Sequence, residues 1–231
     1  MLLRLVVGSR RWSSSSSSFR GAARQEGLAE VRRLASFAPL SFVEELREVR
    51  AGGKPFGAEA LSASKGFKFP ELPATNLDGS EVTLPEYFEK RVTLVAVSTR
   101  QVGAVKLASW IVPLAQRLCA SSRAKNSTKI VELTIVENPV ARLFRSWFLA
   151  NLRRGENDPL LHHSTLLRIG DTSAQRAALG MANRLVGYVF LVDHRGRVRF
   201  RASGAATDDE LALLFDQTVG LVADRERSQG V

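Results

Sequence analysis

The chain has 231 residues, 45% of them hydrophobic and 24% charged, the balance of a folded domain with extensions rather than of a disordered or fibrous chain. A single cysteine, Cys119, excludes an internal disulfide framework or a Cys-x-x-Cys pair. The three histidines, two of them adjacent at His162 and His163, argue against a metal centre. The net charge is +10, and no apolar run approaches the roughly 20 residues that span a bilayer.

The charge is unevenly placed. Residues 1–25, MLLRLVVGSRRWSSSSSSFRGAARQ, hold Arg4, Arg10, Arg11, Arg20 and Arg24 and no acid. Arginine-rich, serine-rich and acid-free is the composition of a mitochondrial or plastid transit peptide, with arginines from residue 4 onward favouring mitochondria, and Leu2, Leu3, Leu5, Val6 and Trp12 supply the apolar side of an amphipathic helix. Without those five arginines the remainder carries +5 (10 − 5). That excess suits an anionic membrane surface or an acidic partner. No nucleic-acid motif accompanies it and aromatics are sparse, so nucleic acid is not expected as a partner.

After the leader the pattern predicts two amphipathic helices. One covers about 26–35, with Leu28, Val31, Leu34 and Ala35 on one face. The other opens at a Ser41–Glu44 capping box and ends at Gly52-Gly53. A loop-like stretch, 52–66, closes this helical extension. Asp78-Gly79 then marks a tight turn between two short extended pieces, and Pro85 sits in the first turn of a short helix.

The run VTLVAVS, 92–98, reads as a buried strand, followed by a helix over about 103–121. TKIVELTIV, 128–136, is a second strand. Asn138-Pro139 starts a helix whose apolar side is Val140, Phe144, Trp147, Phe148 and Leu152. A third strand covers 164–170. Thr172 to Gln175 caps a helix containing Ala178 and Met181, and 187–202 reads as a hairpin turning at His194-Arg195-Gly196. A Thr207–Glu210 capping box opens the last helix, with Leu211, Leu214, Phe215 and Val222 on its apolar side.

This order demands parallel, right-handed crossovers between the first strands and a terminal antiparallel hairpin, in one mixed sheet covered on both faces. The expectation is an α/β fold: a thioredoxin-like mixed sheet flanked by helices, with a helical N-terminal extension. The segments are 1–25 leader, 26–66 extension and linker, 67–223 domain and 224–231 disordered tail.

FPELPATNLDGSEVTLPEYFEKRVTLVAVS resembles the opening of peroxiredoxins and related thioredoxin-like proteins. GYVFLVDHRGRVRFRASGAATDDEL resembles the carboxyl-terminal block of the mitochondrial ATP synthase assembly factors that chaperone the membrane subunit a (subunit 6). Ser109-Trp110 and LRIGDTSAQRAALGMANRLVGY fit the same family, and the likeness covers about 41–222. The resemblance implies a non-enzymatic factor without cofactor, peripheral to the matrix side of the inner mitochondrial membrane, that holds subunit a until it joins the c-ring. On the residues of those blocks the implied partner-binding positions are Trp110, Gly187, Tyr188, Arg197, Arg199, Arg201 and Gly204.

Redox members of the fold carry a nucleophilic cysteine just after the central strand, where a helix amino terminus lowers its pKa. Here Arg100, Gln101, Val102 and Gly103 fill that loop, and no proline precedes the hairpin in Asn183–Gly187. No catalytic or metal-binding residue is therefore expected. The rival expectation is a thiol oxidoreductase using Cys119, which otherwise reads as a small buried hydrophobe near the far end of its helix. Arg197, Arg199 and Arg201 alternate with apolar residues, as a partner-facing cationic row or as protection of an outer strand. Arg142, Arg145 and Arg153 read as a solvated face, and Trp110 and Trp147 as core.

Overall fold

In this computed structural model the described residues are 54–88, 90–120, 122–155 and 162–229, with Arg47 as an isolated helical residue before them. The leader and, Arg47 apart, the two expected amino-terminal helices lie outside the described residues.

The sheet is organised around β5 (Val92–Ser98), whose seven residues are all buried. A strand buried on both faces needs a near-continuous apolar run, which this one has. It pairs in parallel with β6 (Thr128–Val136), from Val92 opposite Thr128 to Ser98 opposite Thr134, and β6 pairs in parallel with β7 (His162–Ile169). On its other side β5 pairs antiparallel with β8 (Tyr188–Val192), which continues into β9 (Arg197–Ser203). Four shorter strands complete the sheet: β1 (Glu59–Ala60), β2 (Phe67–Lys68), β3 (Leu72–Asn76) and β4 (Glu81–Leu84). The order is β1-β9-β8-β5-β6-β7-β3-β4, with β2 also on β9. A β-α-β unit joined through an antiparallel strand to a β-β-α unit is the thioredoxin-like arrangement expected from the element order.

Side chains alternate across the strands, so the sheet has two cores. Leu94 and Ala96 face α1 (Gln101–Cys119) and α5 (Asp208–Gln229), packing with Leu107, Trp110, Leu114, Leu118, Leu214 and Leu221. Val95 and Val97 face the other way, onto Phe69, Leu72, Phe88, Tyr188 and Phe190. That second face is covered by the 54–72 arm, the 3-10 turn Glu86–Phe88, and the region of α4 (Ser173–Ala178) that brings in Leu179 and Met181. A short helix, α2 (Ser122–Ser127), leads into β6.

Most expected elements appear within a few residues of their predicted bounds. The Asp78-Gly79 turn joins β3 to β4, with Gly79 at φ +96° and the Asp78 carboxylate accepting from Ser80 N at 2.8 Å. The Thr207–Glu210 box closes reciprocally: Thr207 N donates to Glu210 Oε2 at 2.9 Å, and Glu210 N to Thr207 Oγ1 at 3.3 Å.

Four expectations change. Thr172 caps nothing with its side chain: the hydroxyl donates to Glu137, and Asp171 Oδ1 takes the Ser173 N–H instead, at 2.9 Å. Residues 54–66, read as linker, dock on the sheet through β1 and buried Leu61, while α5 continues past residue 223 to Gln229. The fourth concerns Val140, Phe144 and Trp147, which are 56%, 57% and 42% exposed rather than core. Asn138 does cap, accepting from Val140 N at 3.0 Å, but it opens a 3-10 turn, Pro139–Phe144, before α3 (Arg145–Gly155) begins. Three residues per turn instead of 3.6 rotate the apolar stripe off the sheet. Ala141 and Leu149 are buried instead, and Leu149 packs with Phe148, Leu152, Leu77 and Leu167.

Candidate functional site

In an open α/β sheet the functional edge lies at the carboxyl ends of the parallel strands. Here that edge carries the β5–α1 corner, the β6–α3 crossing and the residues after β7. The corner is tied down by backbone and hydroxyl contacts. Thr99 Oγ1 donates to Arg184 O, and α1 starts at Arg100 without a side-chain cap. Gly103, in its first turn, is pressed against the loop before β8. A Cβ on Gly103 would lie 2.9 Å from Gly187 N, and one on Gly187 would lie 2.5 Å from Gly103 O and 2.8 Å from Leu107 Cγ. Two glycines are required because two backbones touch there.

Trp110 closes the same node from inside. It is fully buried, its Nε1 donates to Gly204 O at 2.8 Å, and its ring meets Phe200 edge-on at 6.0 Å. Gly204, at φ +74°, in turn donates its N–H to Gly187 O at 2.9 Å. Tyr188 fixes the neighbouring loop: its hydroxyl accepts from Asn183 N and donates to Asn183 O, both at 2.9 Å. The structure thus brings Trp110, Gly187, Tyr188 and Gly204 together, as an interior clasp rather than a surface. A burial-seeking indole needs a partner for its N–H, and a glycine carbonyl supplies it.

The arginine row lies elsewhere, and each member holds the amino-terminal arm. Arg197 donates to Gly66 O. Arg199 donates from Nε to Leu61 O at 3.1 Å and from Nη1 to the buried Asp193 Oδ2 at 3.2 Å. Arg201 donates to Glu59 Oε2 from Nε and Nη2, at 2.9 and 2.7 Å. Nor is β9 an outer strand, since β1 and β2 pair along it. The arm's other anchor is Lys54 Nζ, 2.6 Å from Glu210 Oε2. Burial pushes the Glu210 carboxyl up, but the Lys54 and Thr207 hydrogen bonds outweigh it and hold the group below its ordinary value of 4.5.

Sequence reasoning missed Glu137, the acid just past β6. It accepts from Thr172 Oγ1 at 2.9 Å and Arg176 Nε at 2.7 Å, with Arg184 Nε 3.5 Å away. A lone carboxylate at the carboxyl end of an apolar strand was the available signal. Its contacts lock three segments together. Of the second basic group, Arg145 donates to Gly79 O and Glu81, and Arg153 to Leu77 O, while Arg142 is exposed.

Cys119 ends α1, about 27 Å along the helix from Gln101 at 1.5 Å per residue, and is half-buried against the α1–α5 core. Among the described residues no cluster of His, Cys, Asp and Glu could hold a metal ion, and no helix is long and apolar enough to cross a membrane.

The family model described as ATP10 protein matches residues 10–221. No curated protein matches the chain. Solved structures similar to it include a secreted thiol-disulfide isomerase of Corynebacterium glutamicum (12% identity, 74% of this chain and 99% of that one, TM-score 0.48). Another is a DsbF homologue of Corynebacterium diphtheriae (11% identity, 70% and 92% covered, TM-score 0.47). A third is BsSco, a member of the Sco family of cytochrome c oxidase assembly proteins (15% identity, 67% and 95% covered, TM-score 0.45).

Proposed function

Since the chain belongs to the ATP10 protein family, we propose that it acts in assembly of the proton-transporting ATP synthase as a mitochondrial binding protein that makes and breaks no covalent bond. Its partner in this reading is the membrane subunit a (subunit 6), held at the matrix side of the inner membrane until it joins the c-ring. The acid-free, arginine-rich leader supports import into mitochondria.

The observation that carries the non-enzymatic part is the β5–α1 corner. A thiol mechanism needs a thiolate at a helix amino terminus. There the chain has Thr99 to Gly103, packed backbone to backbone against Gly187, and its one cysteine sits at the opposite end of α1. What remains for such a scaffold is non-covalent contact with another surface.

The test is recovery of newly made subunit a with the tagged chain from mitochondria in mild detergent. The reading expects subunit a among the captured proteins and a loss of assembled ATP synthase in cells without the chain. Capture of no ATP synthase subunit would sink it.

A further inference from the structure

The segment Pro139–Trp147 presents Val140, Leu143, Phe144 and Trp147 to solvent, and Leu143, at 83% exposure, projects from the surface rather than lining a groove. These four recur at spacings of three and four, so they form one stripe along the 3-10 turn and the start of α3. Stripes of this size on a folded protein mark a contact surface.

The charges around the stripe indicate what it contacts. From Asn138 to Gly155 the chain has four arginines and no acid; Arg145 and Arg153 are bonded to Glu81, Gly79 O and Leu77 O, and Arg142 is exposed. Two carboxylates at the same edge are already engaged: Glu137 with Arg176, and Glu81 with Arg145. Asp171, which follows Gly170, is exposed, and Arg142 Nη2 lies beside Gly170, 3.0 Å from where a Cβ would stand. Arg100, exposed after β5, adds another cation at this edge, because β5 and β6 run parallel and end together. An exposed stripe of Val, Leu, Phe and Trp flanked by the exposed cations Arg142 and Arg100, in an element too short to cross a bilayer, suits the membrane interface. Trp147, half-exposed and beside Phe148 at 5.1 Å, has the amphipathic ring favoured at headgroup depth.

We propose that Pro139–Trp147 is a wedge that inserts into an anionic phospholipid surface, with Leu143 and Phe144 among the acyl chains and Arg142 and Arg100 at the phosphates. The inference deepens the assembly-factor reading and rests on it only for which membrane is meant. It also fixes an orientation: the carboxyl ends of β5–β7 face the lipid, and the arm held by Arg197–Arg201 lies away from that wedge.

The test uses the full chain with Trp12→Phe, so that emission comes from buried Trp110 and from Trp147. The vesicles are phosphatidylcholine with bromine-labelled acyl chains, with or without cardiolipin. Trp147 emission is expected to be quenched on the cardiolipin vesicles, and much less so on phosphatidylcholine alone or at high salt. Leu143→Asp combined with Phe144→Asp should lose the quenching and bind roughly tenfold or more weakly, with unchanged circular dichroism and thermal unfolding. The proposal fails if the chain binds vesicles without quenching, since the basic amino terminus then holds it. It fails equally if neutral vesicles quench as well, or if the double variant binds lipid normally but no longer captures subunit a. Normal ATP synthase in cells without the chain would refute the assembly reading and leave the vesicle result standing.

Discussion

Two strand-to-helix crossings sit side by side at one edge of the sheet, and they are built in opposite ways. After β5 the chain enters α1 through a corner with the Thr99 hydroxyl tied inward and two glycine backbones in contact, Arg100 alone being exposed. After β6 it enters α3 through a 3-10 turn whose apolar side chains point outward. The first crossing occupies the place where α/β proteins most often keep their chemistry, and here it serves as a clasp. The second was expected to be core and is the most exposed apolar feature described. Position in a fold does not fix use; what the side chains touch does.

Substitutions at the two crossings should separate them by size of effect. Trp110→Ala empties a fully buried site and strands the Gly204 carbonyl, so chemical denaturation should show a loss of about 3–5 kcal/mol. Gly187→Ala forces a Cβ into backbone and Leu107, for a loss of about 1–3 kcal/mol in the same measurement. A Gly187→Ala chain as stable as the original would mean the corner is open after all.

A smaller effect is expected where the arm meets α5. Glu210 carries the capping box and the Lys54 ion pair, and Glu210→Gln should cost about 1 kcal/mol at neutral pH. Its folded pKa lies below the ordinary 4.5. The unfolded chain therefore takes up the proton first as pH falls, and the stabilisation is full above 4.5 and lost as pH drops through the folded value. Unfolding curves of the two chains should converge on the acid side; a constant gap would contradict that origin. Smallest of all, Leu143→Asp should change stability by no more than about 0.5 kcal/mol, because nothing of the fold rests on that side chain. A large loss would put Leu143 in a core that the exposed segment does not have.

The difference between these regions also marks how far the sequence could be read. Strand β5, strand β6 and the β8–β9 hairpin were legible because continuous or alternating apolar runs have few other solutions. The Thr207–Glu210 box was legible because its two hydrogen bonds are local. The clasp was legible only as a list of residues: Trp110, Gly187 and Gly204 lie far apart in sequence, and their meeting depends on tertiary packing. The arginines of β9 were assigned outward because nothing local shows that residues 59–60 and 67–68 return to pair there. At 139–147 the helical period misled, since a 3-10 turn and an α-helix share the same Asn-Pro start but present different faces.

The central claim is that this scaffold works by holding another polypeptide, without thiol chemistry. The direct measurement is the amount of subunit a built into ATP synthase in cells that lack the chain and then receive it with Cys119→Ser. The account predicts incorporation that falls without the chain and returns in full with the cysteine-free one. Normal incorporation without the chain, or rescue that requires Cys119, would contradict it.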